Sequence, residues 1–240
     1  MIFWYPGEAG TTSDAQPTID AFFDYINKQI APDKILGKYF NSVPDGLKFI
    51  NRSKPRFGIL SLAAYTINSN KLGKTSVILS TLPLPHGTAT EQYVIVGKGA
   101  RPANWNTPLY SKQPLTKEFA IKYILNPNLN PQSLILNPVS SILPLLKDLS
   151  SGTKQGAAIL QPIEYYTLKN MNQPWTSALV VWHTSPPMSS APLVAFGDVN
   201  PAFIQKLKDI LLKMNQVPEG KEILESLRLK GFGDINPLHQ

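Results

Sequence analysis

A short phrase recurs along this chain: an apolar run, then a small polar residue, often beside a proline, then a helical pattern. It reads Ile2–Tyr5 before Pro6-Gly7-Glu8-Ala9-Gly10-Thr11-Thr12-Ser13, and Phe57–Leu60 before Ser61. It returns as Leu134–Leu136 before Asn137-Pro138, and as Ala157–Leu160 before Gln161-Pro162. Each occurrence predicts a buried strand leading straight into a capped helix, the repeating unit of parallel α/β sheets. In open sheets of that kind the ligand crevice lies at the carboxyl ends of the strands, where the helices begin. Here those positions carry hydroxyls, amides and helix N-termini. The pattern predicts a place that holds a polar or anionic group without reacting with it.

Composition narrows the classes. With 240 residues and 42% apolar content, the chain can bury one large core or two small ones. Its longest apolar stretches, such as Ser177–Trp182 and Ser76–Leu79, fall far short of the ~20 residues a bilayer-spanning helix needs. The first strand starts directly after Met1, so the expectation is either a cytoplasmic protein or one whose leader has been removed. There are no cysteines, which excludes disulfides and thiolate metal sites. The net charge of +7 comes from scattered Lys and Arg residues, with no run longer than two and no interleaved aromatic motif. That argues against nucleic acid as a partner and suits small anionic solutes.

No motif supports catalysis. Leu72-Gly73-Lys74-Thr75 imitates the end of a phosphate-binding loop, but the leading glycine would fall at Asn68 and a strand follows. Ser61 lacks a Gly-x-Ser-x-Gly elbow, although Gly58 lies three residues before it. His86, His183 and His239 are far apart and lack metal-ligand spacing. The expectation is a protein without catalytic residues, metal or cofactor.

The organisation along the chain is two βα series. A first helix buries Ile19, Phe22, Phe23, Ile26 and Ile30, with Pro17 tolerable in its first turn only. A strand over Ile35–Phe40 precedes the cap pattern Ser42-Val43-Pro44-Asp45 and a helix burying Val43, Leu47 and Ile50. Ser61 caps a short helix, Leu62–Asn68. Strands over Thr75–Leu82 and Gln92–Val96 flank the breaker Pro83-Leu84-Pro85-His86-Gly87, and Arg101–Asn106 reads as a loop. The second series starts with strand Leu109–Ser111 and a helix carrying Leu115, Phe119 and Tyr123. It continues through the Asn137 and Gln161 units to strand Leu179–Val181, the breaker Thr184-Ser185-Pro186-Pro187 and strand Leu193–Phe196. The end reads as helical: Asn200-Pro201 opens a stripe of Phe203, Leu207, Ile210, Leu211 and Met214. Pro218-Glu219-Gly220 then opens a helix with Ile223, Leu224 and Leu227, stopped by Gly231. Two proline-rich crossings imply two α/β lobes, residues 1–84 plus 186–240 and an inserted lobe 85–185.

These residues resemble a known family. Gly7–Ser13 after the opening strand, Arg56–Tyr65, Glu91–Val96, Gly152–Gln161 ahead of Tyr165, His183–Pro187, and Pro218–Leu224 with Gly231-Phe232 together resemble the periplasmic solute-binding proteins of ABC transporters. The likeness is to the type II fold, and within it to the phosphate/phosphonate-binding family. It implies two doubly wound α/β lobes joined by two crossing strands. It further implies a secreted or lipid-anchored monomer that closes on a solute and delivers it to a membrane permease. The counterpart of the family's serine-rich loop is Tyr110-Ser111-Lys112-Gln113-Pro114. Where family members often carry an acidic residue, this chain has Gln161, with Glu164 three residues later. Rival classes are an enzyme on the same fold that makes a cofactor precursor and a ligand-sensing module of a signalling system.

The candidate ligand residues follow from the crevice rule. In the first lobe they are Gly10, Thr11, Thr12 and Ser13, together with Ser61 and Tyr65. Gly7 and Gly10 allow close backbone approach to an oxyanion. Ser61 is expected to cap its helix, and Thr11 is not. In the second lobe the candidates are Ser111 and Lys112 ahead of a helix, Asn137 as a helix cap with Ser140, and Gln161, Glu164 and Tyr165. Trp4, Tyr5 and Trp182 read as core, and Trp105, in a loop, is the better candidate among these aromatics for a wall of the site.

Overall fold

The computed structural model describes residues 1–8, 11–125 and 127–235. The chain forms two units, one made of residues 1–90 with the described residues from 189 onward, the other of residues 91–188. The chain passes between them in two short strands, Thr90–Glu91 and Met188–Ser189.

In the first unit, β1 (Ile2–Trp4), β2 (Lys38–Phe40) and β3 (Phe57–Leu60) pair in parallel, with β1 in the middle. Helices α1 (Thr12–Ile30), α2 (Val43–Ser53) and α3 (Leu62–Ile67) follow them in turn. Strand β4 (Thr75–Pro83) comes next in the chain. The period-2 alternation of strands sorts the side chains onto two faces. Phe3, Ile59, Leu193 and Ala195 pack against Phe22, Phe23 and Ile26 of α1. Ile2, Trp4, Leu60 and Val194 pack instead with Ile50 and Ala64, on the side of α2 and α3. Helices on both faces make this a doubly wound sheet. Trp4 is fully buried, and its indole N–H donates to the Ser42 carbonyl at 3.0 Å. Its ring lies against Gly46, where an added Cβ would come within 2.2 Å of Nε1.

The expectation of Pro17 in the first turn is corrected. The helix begins at Thr12, so Pro17 lies inside it, on an exposed face where water can solvate the carbonyl left without a donor.

In the second unit, β5 (Thr90–Glu91) leads into β6 (Val94–Lys98), and β7 (Leu109–Ser111) follows. A three-residue helix, α4 (Lys117–Phe119), continues as a π-helical turn over Ala120–Ile124. Then come β8 (Leu136–Pro138), α5 (Ile142–Ser151), β9 (Ala157–Leu160), α6 (Pro162–Asn170) and β10 (Leu179–Thr184). The sheet order is β10-β6-β9-β7-β8, with β7 parallel to both β8 and β9 and with β6 antiparallel to its neighbours. Val94, Val96, Ala158 and Leu160 bury one face under Leu145, Leu146 and Leu149 of α5. On the other face Tyr93 meets the ring of Phe119, with centroids 6.3 Å apart.

The chain returns to the first unit through β11 (Met188–Ser189) and β12 (Pro192–Phe196), which pairs antiparallel with both β3 and β4. Helices α7 (Pro201–Lys213) and α8 (Pro218–Ser226) follow, the first capped by Asn200 as expected. The expectation of a purely helical end is overturned. Arg228 turns the chain in a left-handed conformation at φ 59°, and β13 (Leu229–Gly233) pairs with the free edge of β4. Gly231 therefore does not stop α8. It sits at a register shift within β13, at φ 157°. Leu229 and Phe232 of this strand are buried.

Candidate functional site

In the first unit β1 is the point where the winding reverses. The connection through α1 leads to β2 on one side, and the connection through α2 leads to β3 on the other. The crevice in such sheets opens outside the carboxyl ends of β1 and β3. Ser61 is placed there by the backbone: its N–H donates to the Trp4 carbonyl at 3.0 Å. Its hydroxyl is almost fully buried and accepts the Ala64 N–H at 3.2 Å, capping α3 as expected. A capping hydroxyl uses a lone pair and keeps its own hydrogen to donate.

The β1–α1 turn reaches the same edge. Tyr5 N–H donates to Phe40 and Gly7 N–H to Asn41, with Gly7 at φ 85°, a conformation that favours glycine. Thr11 overturns its expectation, because it is the N-cap of α1. Its hydroxyl accepts the Asp14 N–H at 3.2 Å, and its own N–H donates to Asp14 Oδ2 at 2.7 Å. The acid three residues on makes this a reciprocal capping box. The Thr11 N–H, and then its hydroxyl, hold the Asp14 carboxyl below the usual carboxylate range. Thr11 and Ser13 hydroxyls lie 2.6 Å apart, with Thr12 half-buried beside them. Gly10 lies outside the described residues.

Tyr65 is not brought to this edge. Its hydroxyl is 3.4 Å from Thr75 Oγ1, and Thr75 pairs with Phe196, the last residue of β12. Since β12 runs antiparallel to β3, that is the opposite, amino edge of the parallel strands.

In the second unit the winding reverses at β7, between β8 and β9. Ser111 ends β7, is nearly fully buried, and its carbonyl accepts the Val139 N–H at 2.9 Å. Lys112 follows, half-buried. The helix after them starts only at Lys117, with Thr116 as its cap, so neither residue is occupied by capping. Asn137 is corrected: it lies inside β8 opposite Tyr110, and the residue before α5 is Ser141. The edge position of β8 tolerates Pro138, which has no N–H to donate to a further strand. That lets pairing run through the residues that looked like a cap. Ser140 is exposed between β8 and α5.

Gln161 is the first residue past β9 and stands before α6. Its N–H donates to Glu164 Oε2 at 3.0 Å, the carboxylate half of a capping box, and Glu164 is half-buried rather than exposed. Tyr165 packs with Leu145, Leu146 and Leu168 in the core under the sheet. Register puts Ser111 opposite Ile159, so Ser111, Lys112 and Gln161 share the carboxyl edge. Trp105 stands edge-on to His183, with ring centroids 6.0 Å apart, and the Arg101 guanidinium lies over its ring. Trp182 is half-buried over Gly97 rather than in a core. His239 lies outside the described residues.

Residues 145–239 match the family described as ABC transporter, phosphonate, periplasmic substrate-binding protein. No curated protein sequence matches the chain. Among solved structures, a Xanthomonas citri protein bound to ATP aligns with a TM-score of 0.75 at 12% identity, over 99% of this chain and 91% of that one. A binding protein component of an ABC phosphonate transporter from Pseudomonas aeruginosa aligns at 0.68 and 13% identity, over 98% and 81%. PhnD1 from Prochlorococcus marinus, in complex with methylphosphonate, aligns at 0.68 and 14% identity, over 99% and 93%. The chain has the two-unit α/β fold of the type II solute-binding proteins. The fold expected from the sequence holds.

The sequence reading passed over a second set of hydroxyls in the first unit. Ser80, Thr81, Ser189 and Ser190 are all buried. Thr81 donates through N–H and Oγ1 to the Ala191 carbonyl, each at 3.0 Å, and the Ser190 hydroxyl donates to the Thr81 carbonyl. The pairing of Leu193 with Ile59 runs on to set Ala191 across from Ser61. The available signal was hydroxyls inside an otherwise apolar strand pattern, together with the Ser189-Ser190 pair before β12.

Proposed function

We propose that this protein captures a small anionic solute without covalent chemistry, a phosphate, a phosphonate or a similar oxyanion. It hands that solute to the permease of an ABC transporter, working as a monomer outside the cytoplasm, free or lipid-anchored. The observation that carries the reading is the doubled switch-point edge. Each unit sets hydroxyl, amide or ammonium donors at the carboxyl ends of a parallel three-strand group wound the same way. The family match over residues 145–239 and the net charge of +7 support it. The ligand groups are Thr11, Thr12, Ser13 and Ser61 from the first unit, and Ser111, Lys112 and Gln161 from the second. Asp14 and Glu164 bring carboxylates to these edges, but each is held by the N–H of a helix start, where the helix dipole offsets its charge.

Calorimetric titration with inorganic phosphate, methylphosphonate, sulfate, a nucleoside triphosphate, free amino acids and polyamines tests the reading. Binding of at least one oxyanion is expected, with Ser61→Ala and Ser111→Ala each weakening it. A solute set made up only of cations would overturn it.

A further inference from the structure

The side of the first unit away from the ligand crevice has a charge pattern of its own. Four segments reach the amino edge of its parallel strands: residues 31–38 before β2, 52–56 before β3, 71–75 before β4, and 197–200 after antiparallel β12. Backbone hydrogen bonds fix them there. The Lys38 N–H donates to the Met1 carbonyl at 3.2 Å, the Phe196 N–H to Arg56 at 2.9 Å and the Gly197 N–H to Lys74 at 2.8 Å. The sheet order β4-β12-β3-β1-β2 therefore sets Lys74, Arg56 and Lys38 along one row. At about 4.8 Å per strand that row spans roughly 19 Å.

Three of these segments are pinned by a buried apolar residue and turn their cations out. Ile35 is buried between exposed Lys34 and Lys38, and the Asn27 side chain holds both its N–H and its carbonyl, at 2.7 and 2.9 Å. Pro55 is buried between exposed Lys54 and Arg56, with exposed Arg52 in the helical turn before them. Leu72 is buried between exposed Lys71 and Lys74. Against these seven cations the four segments hold two carboxylates, Asp33 and Asp198, and Asp198 is paired with Lys74 at 2.5 Å. The turns at the opposite edge, residues 5–11, 41–42 and 61, contain no Lys or Arg, so this charge lies apart from the solute groups of the unit. Leu36 stands among the cations. It is 71% exposed, the highest value for a large apolar side chain among the described residues. Asn27 holds Ile35 on one side of it, and Gly37 on the other packs so closely on Phe23 that an added Cβ would lie 2.0 Å from the ring. The loop is thereby held in a shape that keeps Leu36 outside.

We infer that this edge is a docking surface for an anionic lipid bilayer, with the cations on headgroup phosphates and Leu36 entering the interfacial layer. Cations spaced within about a Debye length, ~8–10 Å, act on the surface potential together. An apolar side chain ringed by lysine and arginine is the combination that interfacial anchors use, the apolar group below and the charges at headgroup level. An acidic polymer or protein would meet the charge but offer Leu36 nothing to enter. The inference does not depend on anion capture: it concerns the opposite edge and is tested with no solute present.

The test is sedimentation of the whole protein with large unilamellar vesicles, of phosphatidylcholine alone or mixed with phosphatidylglycerol. Binding to the mixed vesicles only, weakened by salt, is expected. A net charge of +7 by itself draws protein to such vesicles, so the face is read by comparison. Lys38→Gln with Arg56→Gln is expected to lower affinity roughly twentyfold. Lys147→Gln with Lys169→Gln, the same loss of charge from exposed positions of the second unit, should lower it far less. Leu36→Ser should weaken binding roughly tenfold and leave the remainder more sensitive to salt. The chain has no cysteine, so Leu36→Cys accepts one polarity-sensitive dye, whose emission should shift to the blue on the mixed vesicles. The same dye at Asp45→Cys, toward the opposite edge, should not shift. All these side chains are exposed, and melting temperatures at the wild-type value are expected throughout. Equal losses from the two double variants, or an unshifted dye at Leu36, would overturn the assignment. So would tighter binding to duplex DNA than to vesicles with Leu36→Ser without effect on either. A wild type that ignores the mixed vesicles overturns the docking and leaves anion capture standing, whereas failure to bind any oxyanion overturns capture and leaves the docking standing.

Discussion

In the first unit the parallel strands run β2-β1-β3, followed across the sheet by antiparallel β12 and then β4. In the second they run β8-β7-β9, followed by antiparallel β6 and then β10. The strand plan is the same, yet the turns on the carboxyl edges are used differently. In the first unit the turn hydroxyls Thr11, Ser42 and Ser61 all cap the helices that follow. In the second, the turn after β7 runs on to Thr116 before any cap, and it leaves Ser111, Lys112 and Gln113 free of capping duty. Topology therefore decides where the edge lies, and turn length decides whether its polar groups are taken up in capping a helix. The first unit's hydroxyls are expected to govern stability more than affinity, and the second unit's turn the reverse.

The largest effect is expected at the glycines of the third parallel strand in each unit. Gly156 enters β9 at φ 116°, and an added Cβ would lie 2.2 Å from the Pro108 carbonyl oxygen. Backbone cannot move aside there, so Gly156→Ala should destabilise by roughly 2–4 kcal/mol. Gly58 in β3 would meet only the side chains of Leu60, Ile2 and Phe196, at 2.8–2.9 Å. Those can shift, so Gly58→Ala should cost about 1–2 kcal/mol. Chemical denaturation with hydrogen exchange resolved by strand would check both. Equal losses would mean that the two strands are packed alike.

Next in size is Lys112. Removing its ammonium from a half-buried edge should weaken oxyanion binding by roughly 1.5–3 kcal/mol, the range for hydrogen bonds to charged groups. Thr11→Ala, whose hydroxyl and N–H are already engaged with Asp14, should weaken it less. Titration of the two variants side by side tests the contrast, and a larger effect from Thr11 would reverse the assignment of roles.

Cap removal should be smaller and, unlike the sequence expectation, similar at the two positions. Ser61→Ala and Thr11→Ala should each destabilise by about 1 kcal/mol, because each hydroxyl satisfies an N–H of its own helix. Thermal unfolding monitored by circular dichroism measures this. A neutral Thr11→Ala would show that Asp14 alone secures the start of α1.

The smallest effect is in pH. The folded Asp14 carboxyl sits below its ordinary value of about 3.9, so the unfolded chain takes up that proton first as pH falls. The stabilisation is complete above the ordinary value and is lost as pH drops through the lower folded one. Asp14→Asn should flatten the stability curve slightly below about pH 4. Identical acid limbs in the two proteins would deny the carboxylate any part in folding.

Much of this was written locally. Strands β3 and β9 begin and end where their apolar runs do, and Ser42, Ser61 and Asn200 cap the helices their positions announced. These features depend on a few adjacent residues: a short buried run, and a side-chain oxygen within reach of an N–H three residues on. The same local logic failed where a distant partner outweighed it. Asn137-Pro138 has the composition of a cap but extends an edge strand, because β7 offers a ladder on one side and nothing demands a donor on the other. The final five-residue strand, with two glycines, carries little strand signal and forms because the outer edge of β4 is available to it.

What the sequence determined by itself was the alternation of strand and helix, the edge on which polar groups gather, and the absence of cysteine chemistry. These follow from periodicity, capping and composition, which act over a few residues. Only the tertiary structure decided that Tyr65 turns its hydroxyl to the opposite edge, that Thr11 is held by its own helix, and that Gln113 is hydrogen-bonded to a phenol twenty residues away along the chain. The direction in which a donor points depends on which residues the fold brings beside it, and spacing along the chain does not encode that.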